Sequence, residues 1–254
     1  KNIRVDTALI GDLKHSLQQI LKAMQKTNKP EWDEEVQQIL KKEEDIALRA
    51  ARLAGDRLTP AQVFDVINDL KSEDTVVATD VGQHQMWTAQ KYRFENTRTF
   101  MTSGGLGTMG FGMGAAIGAS MATKERAVLV TGDGSFGMCL NEMATAVKEN
   151  VPLVILLLNN GVLGMVRQWQ NLFFDKHFSN TVLDRKTDFV KLADAFGAKG
   201  ERVTNPEELD KALQRAFSCD GTYLVECIID KDEFVLPMLP PGGSMDDIIV
   251  KVGD

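Results

Sequence analysis

Residues 131–160 read TGDGSFGMCLNEMATAVKENVPLVILLLNN, and the reading of this stretch decides the fold. An apolar run over residues 127–130 leads into it and predicts a buried strand. The run stops at Gly132-Asp133-Gly134, and a helical pattern opens at Ser135. A second apolar run, residues 153–158, stops at Asn159-Asn160. Strand, acidic turn, helix, strand, amide turn make one βαβ unit. Both polar turns fall at carboxyl ends of strands, where open parallel sheets bind their ligands.

The residue types say what such a ligand would be. Asp133 offers an anionic oxygen and Asn160 a neutral amide oxygen. Mg²⁺ is a hard cation that takes oxygen ligands and keeps places for water and phosphate oxygens. Gly134 lets backbone approach closely. A helix opening near Ser135 would point free N–H groups at an anion. The unit is therefore expected to clamp a metal-bridged diphosphate. The plain alternative is a buried βαβ unit with ordinary turn residues.

The paired spacing goes further than either turn alone. Gly-Asp-Gly, followed after residues 135–158 by Asn-Asn, resembles the signature of thiamine-diphosphate (ThDP) enzymes. The resemblance implies that Asp133 and Asn160 ligate Mg²⁺ by side chain and Val162 by its backbone carbonyl.

Composition sets the outer bounds. The chain has 254 residues, 43% hydrophobic and 26% charged, ordinary values for a globular protein with a substantial core. Net charge is −7 with no concentrated basic patch, which argues against nucleic-acid binding. No apolar run approaches the ~20 residues of a membrane span. Cys139, Cys219 and Cys227 lack Cys-x-x-Cys spacing, and suggest reduced, buried thiols in a cytoplasmic protein. The chain opens without a Met or a signal peptide and reads as a fragment. It has no Gly-x-Ser-x-Gly elbow and no Gly-Lys-Ser/Thr phosphate loop, and three scattered His residues argue against a zinc site.

Ahead of the central unit, residues 3–6 are expected to form the last strand of an earlier domain. Residues 12–24 read as an amphipathic helix and residues 31–53 as a long charged one. Residues 1–55 are thus read as a domain tail plus linker, and residues 56–254 as the main domain. Thr59-Pro60-Ala61-Gln62 is a capping box that opens a helix to about Leu70. Residues 75–79 predict a short strand ending in Asp80-Val81-Gly82-Gln83-His84, where Gln83 and His84 could donate to a phosphate oxygen. Read from residues alone, a His in such a turn is more often a structural cap.

Gly105-x-Gly107-x-x-Gly110 matches the dinucleotide fingerprint, with Asp133 further on. Residues 98–102 make a poor buried strand before it, and glycines continue at Gly112, Gly114 and Gly118, which suggests close helix packing instead. Downstream, residues 172–187 predict a loop, 188–196 a helix, 198–203 an edge strand, 205–217 a helix behind a second capping box, and 222–229 a strand. Residues 237–244 make a turn-rich tail.

Three of these segments resemble the acetohydroxyacid (acetolactate) synthases: Gly82-Gln83-His84-Gln85-Met86-Trp87, Gly104-Gly105-Leu106-Gly107-Thr108-Met109-Gly110, and Gly161-Val162-Leu163-Gly164-Met165-Val166-Arg167-Gln168-Trp169-Gln170. The resemblance implies cofactor contacts from Val81, Gly82, Gln83, His84, Gly107, Met109, Gly132, Asp133, Gly134, Ser135, Met138, Asn160, Leu163, Gly164 and Met165. Met109 would prop ThDP in a bent shape, and the Gly107 carbonyl would accept from its aminopyrimidine. Trp169 would form the wall that favours 2-ketobutyrate. The tail would fold over the entrance.

The family implies an α/β fold, a three-layer six-stranded parallel sheet with helices on both faces, preceded by a helical remnant of a central FAD-binding-like domain. It implies condensation of decarboxylated pyruvate with pyruvate or 2-ketobutyrate, in branched-chain amino acid biosynthesis. It implies FAD in the full-length protein only, a homodimer or higher, and a possible small regulatory subunit. In the family the catalytic Glu comes from an amino-terminal domain of the partner subunit, a domain this chain is read as lacking, so the fragment alone is expected to be inactive. A catabolic acetolactate synthase, a pyruvate oxidase, and a nucleotide-binding Rossmann module are the alternatives.

Overall fold

The computed structural model describes residues 4–184 and 186–251. The chain divides into two compact units, residues 1–48 and 49–254. In the first, α1 (Leu13–Ala23) is capped by Asp12, whose carboxylate accepts from the His15 N–H at 2.9 Å. Its apolar stripe, Leu13, Leu17, Ile20 and Leu21, lies exposed. A second helix, α2 (Pro30–Ala54), follows the expected charged pattern. Residues 4–6, expected in a strand, form none; residue 3 of that expectation lies outside the described residues.

The second unit is built on one parallel sheet. Along the chain come α3 (Pro60–Leu70), β1 (Val77–Thr79), α4 (Gln83–Lys91), β2 (Phe100–Met101), α5 (Phe111–Thr123) and β3 (Ala127–Gly132). Then follow α6 (Asp133–Phe136), a 3₁₀ turn, α7 (Met143–Lys148), β4 (Leu153–Asn159), α8 (Gly164–Phe173), α9 (Phe189–Phe196), β5 (Lys199–Val203), α10 (Pro206–Phe217) and β6 (Tyr223–Ile228). The strand order is β2-β1-β3-β4-β6-β5, and every pairing is parallel. The chain leaves β1 toward β2, then returns to the other side of β1 with β3. That reversal opens a crevice at the carboxyl ends of β1 and β3.

Alternation along the strands builds the layers. Val154, Leu156 and Leu158 of β4 join one core with Phe64 and Ile67 of α3 and Leu209 and Leu213 of α10. Leu153, Ile155 and Leu157 join the other with Met113 and Ile117 of α5, Met143 of α7 and Phe189 of α9. Successive side chains point to opposite faces, so helices must cover both. This is the three-layer α/β sheet expected from the sequence.

Local chemistry sets the helix starts. Thr59 and Gln62 cap α3 reciprocally, with Thr59 N–H donating to Gln62 Oε1 at 2.9 Å. Asn205 caps α10 through the Glu208 N–H at 3.1 Å, with Pro206 at the first turn. Gly112 lets α5 press onto β1, since a methyl there would meet the Asp80 nitrogen at 2.7 Å. The same packing does not extend to Gly114 and Gly118, which face open space.

Several local expectations differ from the structure. The helix expected from Ser135 starts at Asp133, lasts one turn, and resumes only at Met143. Gly134 and Gly137 carry little helix propensity, which accounts for the break. His84, read as lying in a turn past the strand, falls in the first turn of α4, and the segment at residues 98–102 is a two-residue edge strand. The loop expected from residue 172 starts after Phe173. Cys139 and Cys227 are buried as expected, but Cys219 is only half-buried; all three are unpaired. No helix among the described residues is long and apolar enough to cross a membrane.

Candidate cofactor site

Side by side, β3 and β4 run in a register that pairs Gly132 with Leu158. Asp133 therefore leaves one strand next to where Asn159 and Asn160 leave the other. Both line a cavity of about 490 Å³ at the carboxyl edge of the sheet. Asp133 is 4% exposed. Asn160 Oδ1 accepts from the Val162 N–H at 3.1 Å, and its Nδ2 donates to Gln83 Oε1 at 3.3 Å. Val162 lines the cavity and pairs antiparallel with Val182, which fixes its backbone.

A third side comes from β1 and α4. Val81, Gly82, Gln83 and His84 all line the cavity. The His84 ring lies against two glycines, so that a methyl at Gly82 would meet Cε1 at 2.8 Å and one at Gly132 would meet Nδ1 at 2.9 Å. Burial pushes the His84 imidazole down to about 4, against smaller opposing effects of the Asp80 carboxylate and backbone. The ring is neutral at pH 7 and carries one N–H. Its Nε2 and the Ser135 hydroxyl are buried without a hydrogen-bond partner among the described residues. Native buried polar atoms are nearly always paired, and both of these residues line the cavity.

These observations fit a magnesium diphosphate. Asp133 and Asn160 bring two oxygen donors of different charge to one cavity, a set that suits a hard cation. A serine hydroxyl, and a neutral imidazole in its Nε2–H form, would pair phosphate oxygens. The short α6 has too little length for a full helix dipole, so local N–H groups replace the expected helix-end field. Gly134 lines the cavity too. A methyl there would meet Leu163 Cδ2 at 3.0 Å and Leu183 Cδ1 at 3.2 Å, so its missing side chain makes room for those leucines.

Gly107, Met109, Leu163, Gly164, Met165 and Trp169 also line the cavity. Trp169 is 37% exposed and packs edge-on against Phe173, with ring centroids 5.4 Å apart. Met138 stands apart from the cavity wall and is 60% exposed.

Three polar groups were not singled out in the sequence. Asp80, fully buried, accepts from the Gly110 N–H at 2.8 Å, the Gly112 N–H at 3.1 Å and the Thr131 hydroxyl at 3.0 Å. It ties the glycine-rich turn to the sheet. Glu226, 1% exposed, accepts from Asn159 Nδ2 and from Arg202 Nε, both at 2.7 Å. Gln168, fully buried in α8, meets Gln83 and the carboxyl-terminal segment. An acidic residue just past an apolar strand was the available signal for Asp80; the other two gave none.

Residues 80–227 match the family model for the thiamine pyrophosphate enzyme, C-terminal TPP binding domain. The chain belongs to this family. It is 37% identical to a probable acetolactate synthase large subunit of Methanococcus aeolicus, over 98% of this chain and 44% of the relative. It is 44% identical to the acetolactate synthase isozyme 2 large subunit of Escherichia coli, over 78% of this chain and 36% of the relative. It is 45% identical to the mitochondrial acetolactate synthase catalytic subunit of Saccharomyces cerevisiae, over 77% and 29%. The chain thus spans less than half the length of these relatives. Membership of a ThDP family removes the Rossmann dinucleotide alternative for the Gly105–Gly110 run.

Proposed function

We propose that this chain is the ThDP- and Mg²⁺-binding part of an acetolactate synthase catalytic subunit. One observation carries the reading. A single cavity gathers Asp133 and Asn160, the unpartnered His84 Nε2 and Ser135 hydroxyl, Met109 and Trp169. Asp133 and Asn160 would ligate Mg²⁺ by side chain, with the Val162 carbonyl as a third ligand. Val81, Gly82, Gln83, His84 and Ser135 would hold the diphosphate. Met109 would shape the cofactor, and the Gly107 carbonyl would accept from its aminopyrimidine.

When bound, ThDP supplies the electron sink for decarboxylating a 2-keto acid and transferring the remaining two carbons. The chain's own residues bind, orient and exclude water. The wall of the cavity is largely apolar around Met109, Leu163, Met165 and Trp169, which would suit the apolar part of the cofactor. The Trp169 indole offers a flat face to the second substrate. An added methylene there rewards 2-ketobutyrate over pyruvate by about 1–3 kcal/mol.

Among the described residues lining the cavity, Asp133 is the one carboxylate, and it is assigned to the metal. The carboxylate that moves the pyrimidine proton is therefore assigned to a partner chain, which makes a homodimer or higher assembly the active form. Residues 1–55 are assigned to the tail of a central FAD-binding-like domain plus linker, and 56–254 to the ThDP domain. FAD, a small regulatory subunit and a cytoplasmic location belong to the same reading.

The test is product analysis of the full-length protein, of which this chain is read as a part, with pyruvate plus 2-ketobutyrate. Acetohydroxybutyrate alongside acetolactate supports the anabolic reading. Acetolactate alone points to a catabolic synthase, and acetyl phosphate or acetate to a pyruvate oxidase.

A further inference from the structure

Gln168 makes all four hydrogen bonds an amide can make, in a site with no solvent exposure. Its Oε1 accepts from the Val235 N–H at 2.8 Å and from Gln83 Nε2 at 2.9 Å. Its Nε2 donates to the Val235 carbonyl at 2.9 Å and to Met238 Sδ at 3.3 Å. A side-chain amide is nearly symmetric in shape, so its partners decide which end is oxygen. The Val235 main chain cannot exchange its N–H and carbonyl, and therefore fixes Gln168 in one orientation.

That orientation is passed on. The Gln168 oxygen demands the NH₂ end of Gln83, and the Glu233 carbonyl, 2.8 Å away, demands it too. Gln83 must then turn its oxygen toward Asn160, where it accepts from Nδ2 at 3.3 Å. With its NH₂ engaged, Asn160 turns its oxygen the other way, where it accepts from the Val162 N–H at 3.1 Å and keeps a second lone pair for a cation. A hard cation binds that oxygen and not an amide nitrogen.

We propose that Gln168 is a positioning residue that acts through Gln83, on the side of Asn160 opposite the Val162 N–H, to hold the oxygen end of that amide toward the divalent cation. The residues 233–238 segment is then the fixed reference for the metal site, although it lies on the far side of α8 in sequence. The inference rests on the reading that Asn160 ligates Mg²⁺. Fixing an amide's rotation matters because partners of metal ligands are typically worth about 10–100-fold in metal affinity.

The test uses the full chain with ThDP at fixed saturating concentration, and Mn²⁺ as the cation, with free Mn²⁺ counted by electron paramagnetic resonance. Gln168→Met is expected to weaken Mn²⁺ binding by about tenfold or more. In an Asn160→Asp background, where either rotation presents an oxygen, the same substitution is expected to change affinity by less than about twofold. An equal loss in both backgrounds, or no loss in the Asn160 background, overturns the proposal. Should Gln168→Met fail to fold, Gln168→Glu keeps the acceptor toward Gln83 and Val235. It is expected to bind Mn²⁺ within about threefold of the parent, and a loss of tenfold or more overturns the proposal. Asn160→Ala separates the two layers: if it leaves Mn²⁺ affinity unchanged, the cation-site reading itself fails.

Discussion

Replacing Gly164 by Ala is the sharpest single perturbation of this site. Gly164 opens α8 without a positive φ, so its backbone tolerates any residue. Helix propensity alone favours Ala over Gly by up to about 1 kcal/mol. Packing argues the other way. A methyl at Gly164 would stand 1.9 Å from Gln83 Oε1 and 2.7 Å from Asn160 Nδ2. Ordinary contact begins at 3.4 Å, so the Gln83 oxygen must retreat by 3.4 − 1.9, or 1.5 Å. That oxygen accepts from Asn160 Nδ2 at 3.3 Å, while Nε2 of the same amide donates to Gln168 at 2.9 Å and Glu233 at 2.8 Å, and the retreat breaks at least one of these bonds. Overpacking costs about 1–3 kcal/mol and a buried polar group left unpaired about 1–3 kcal/mol more. The net loss is about 2–4 kcal/mol, which lowers Tm by roughly 5–15 °C in a unit of this size. Calorimetric unfolding of the full chain reads it out, with Gly114→Ala as control. Gly114 lies inside α5 with nothing near its absent side chain, and Ala there should raise stability by up to about 1 kcal/mol. A Tm for Gly164→Ala equal to or above the parent refutes the packing argument.

Three further outcomes follow from the same geometry. Asp80→Ala removes the acceptor for two backbone N–H groups and the Thr131 hydroxyl, and should cost about 3–5 kcal/mol in denaturant unfolding. Asp80→Asn keeps one oxygen for the two N–H groups and should cost well under half of that; equal losses would contradict the bonding scheme. His84 is held at about 4 when folded, below its ordinary 6.5, so the folded state binds fewer protons between those values. Its contribution is fully present above pH 6.5 and is lost as pH falls toward 4, by about 3 kcal/mol. His84→Gln should flatten the stability profile over that window, and an unchanged slope would count against a neutral buried ring. Glu226→Ala leaves the Arg202 guanidinium and the Asn159 amide without their shared carboxylate and should destabilise by about 3 kcal/mol. Because Arg202 is 41% exposed and Glu226 is buried, Arg202→Met strands the carboxylate and should cost at least as much, and a far smaller cost would contradict the assignment.

The sheet was legible where residues are buried on both faces. The runs 127–130 and 153–158 are unbroken apolar stretches, and both form central strands. The two-residue β2 was not, because an edge pairing so short leaves almost no pattern in sequence. Helices with side-chain caps were legible at Thr59 and Asn205. The α4 helix begins at Gly82 with no side-chain cap, and so its start read as a turn. At the site, polar residues just past strands were legible one loop at a time, because the sheet itself brings those loops together. The amide relay was not. Gln83 and Gln168 stand far apart in the chain, and either alone reads as an ordinary polar residue on a helix. Glu226 lies inside an apolar strand, where only its partners Asn159 and Arg202 explain a buried charge.

The central claim is that the turns after β3 and β4 share one divalent ion against a diphosphate. A crystal structure of the full chain with ThDP and Mg²⁺ tests it most directly. The account predicts one Mg²⁺ with an Asp133 carboxylate oxygen and Asn160 Oδ1 both at about 2.1 Å, and the Val162 carbonyl, diphosphate oxygens and water completing its octahedron. A metal that lacks either of those oxygens, or a diphosphate bound away from His84 and Ser135, would contradict it.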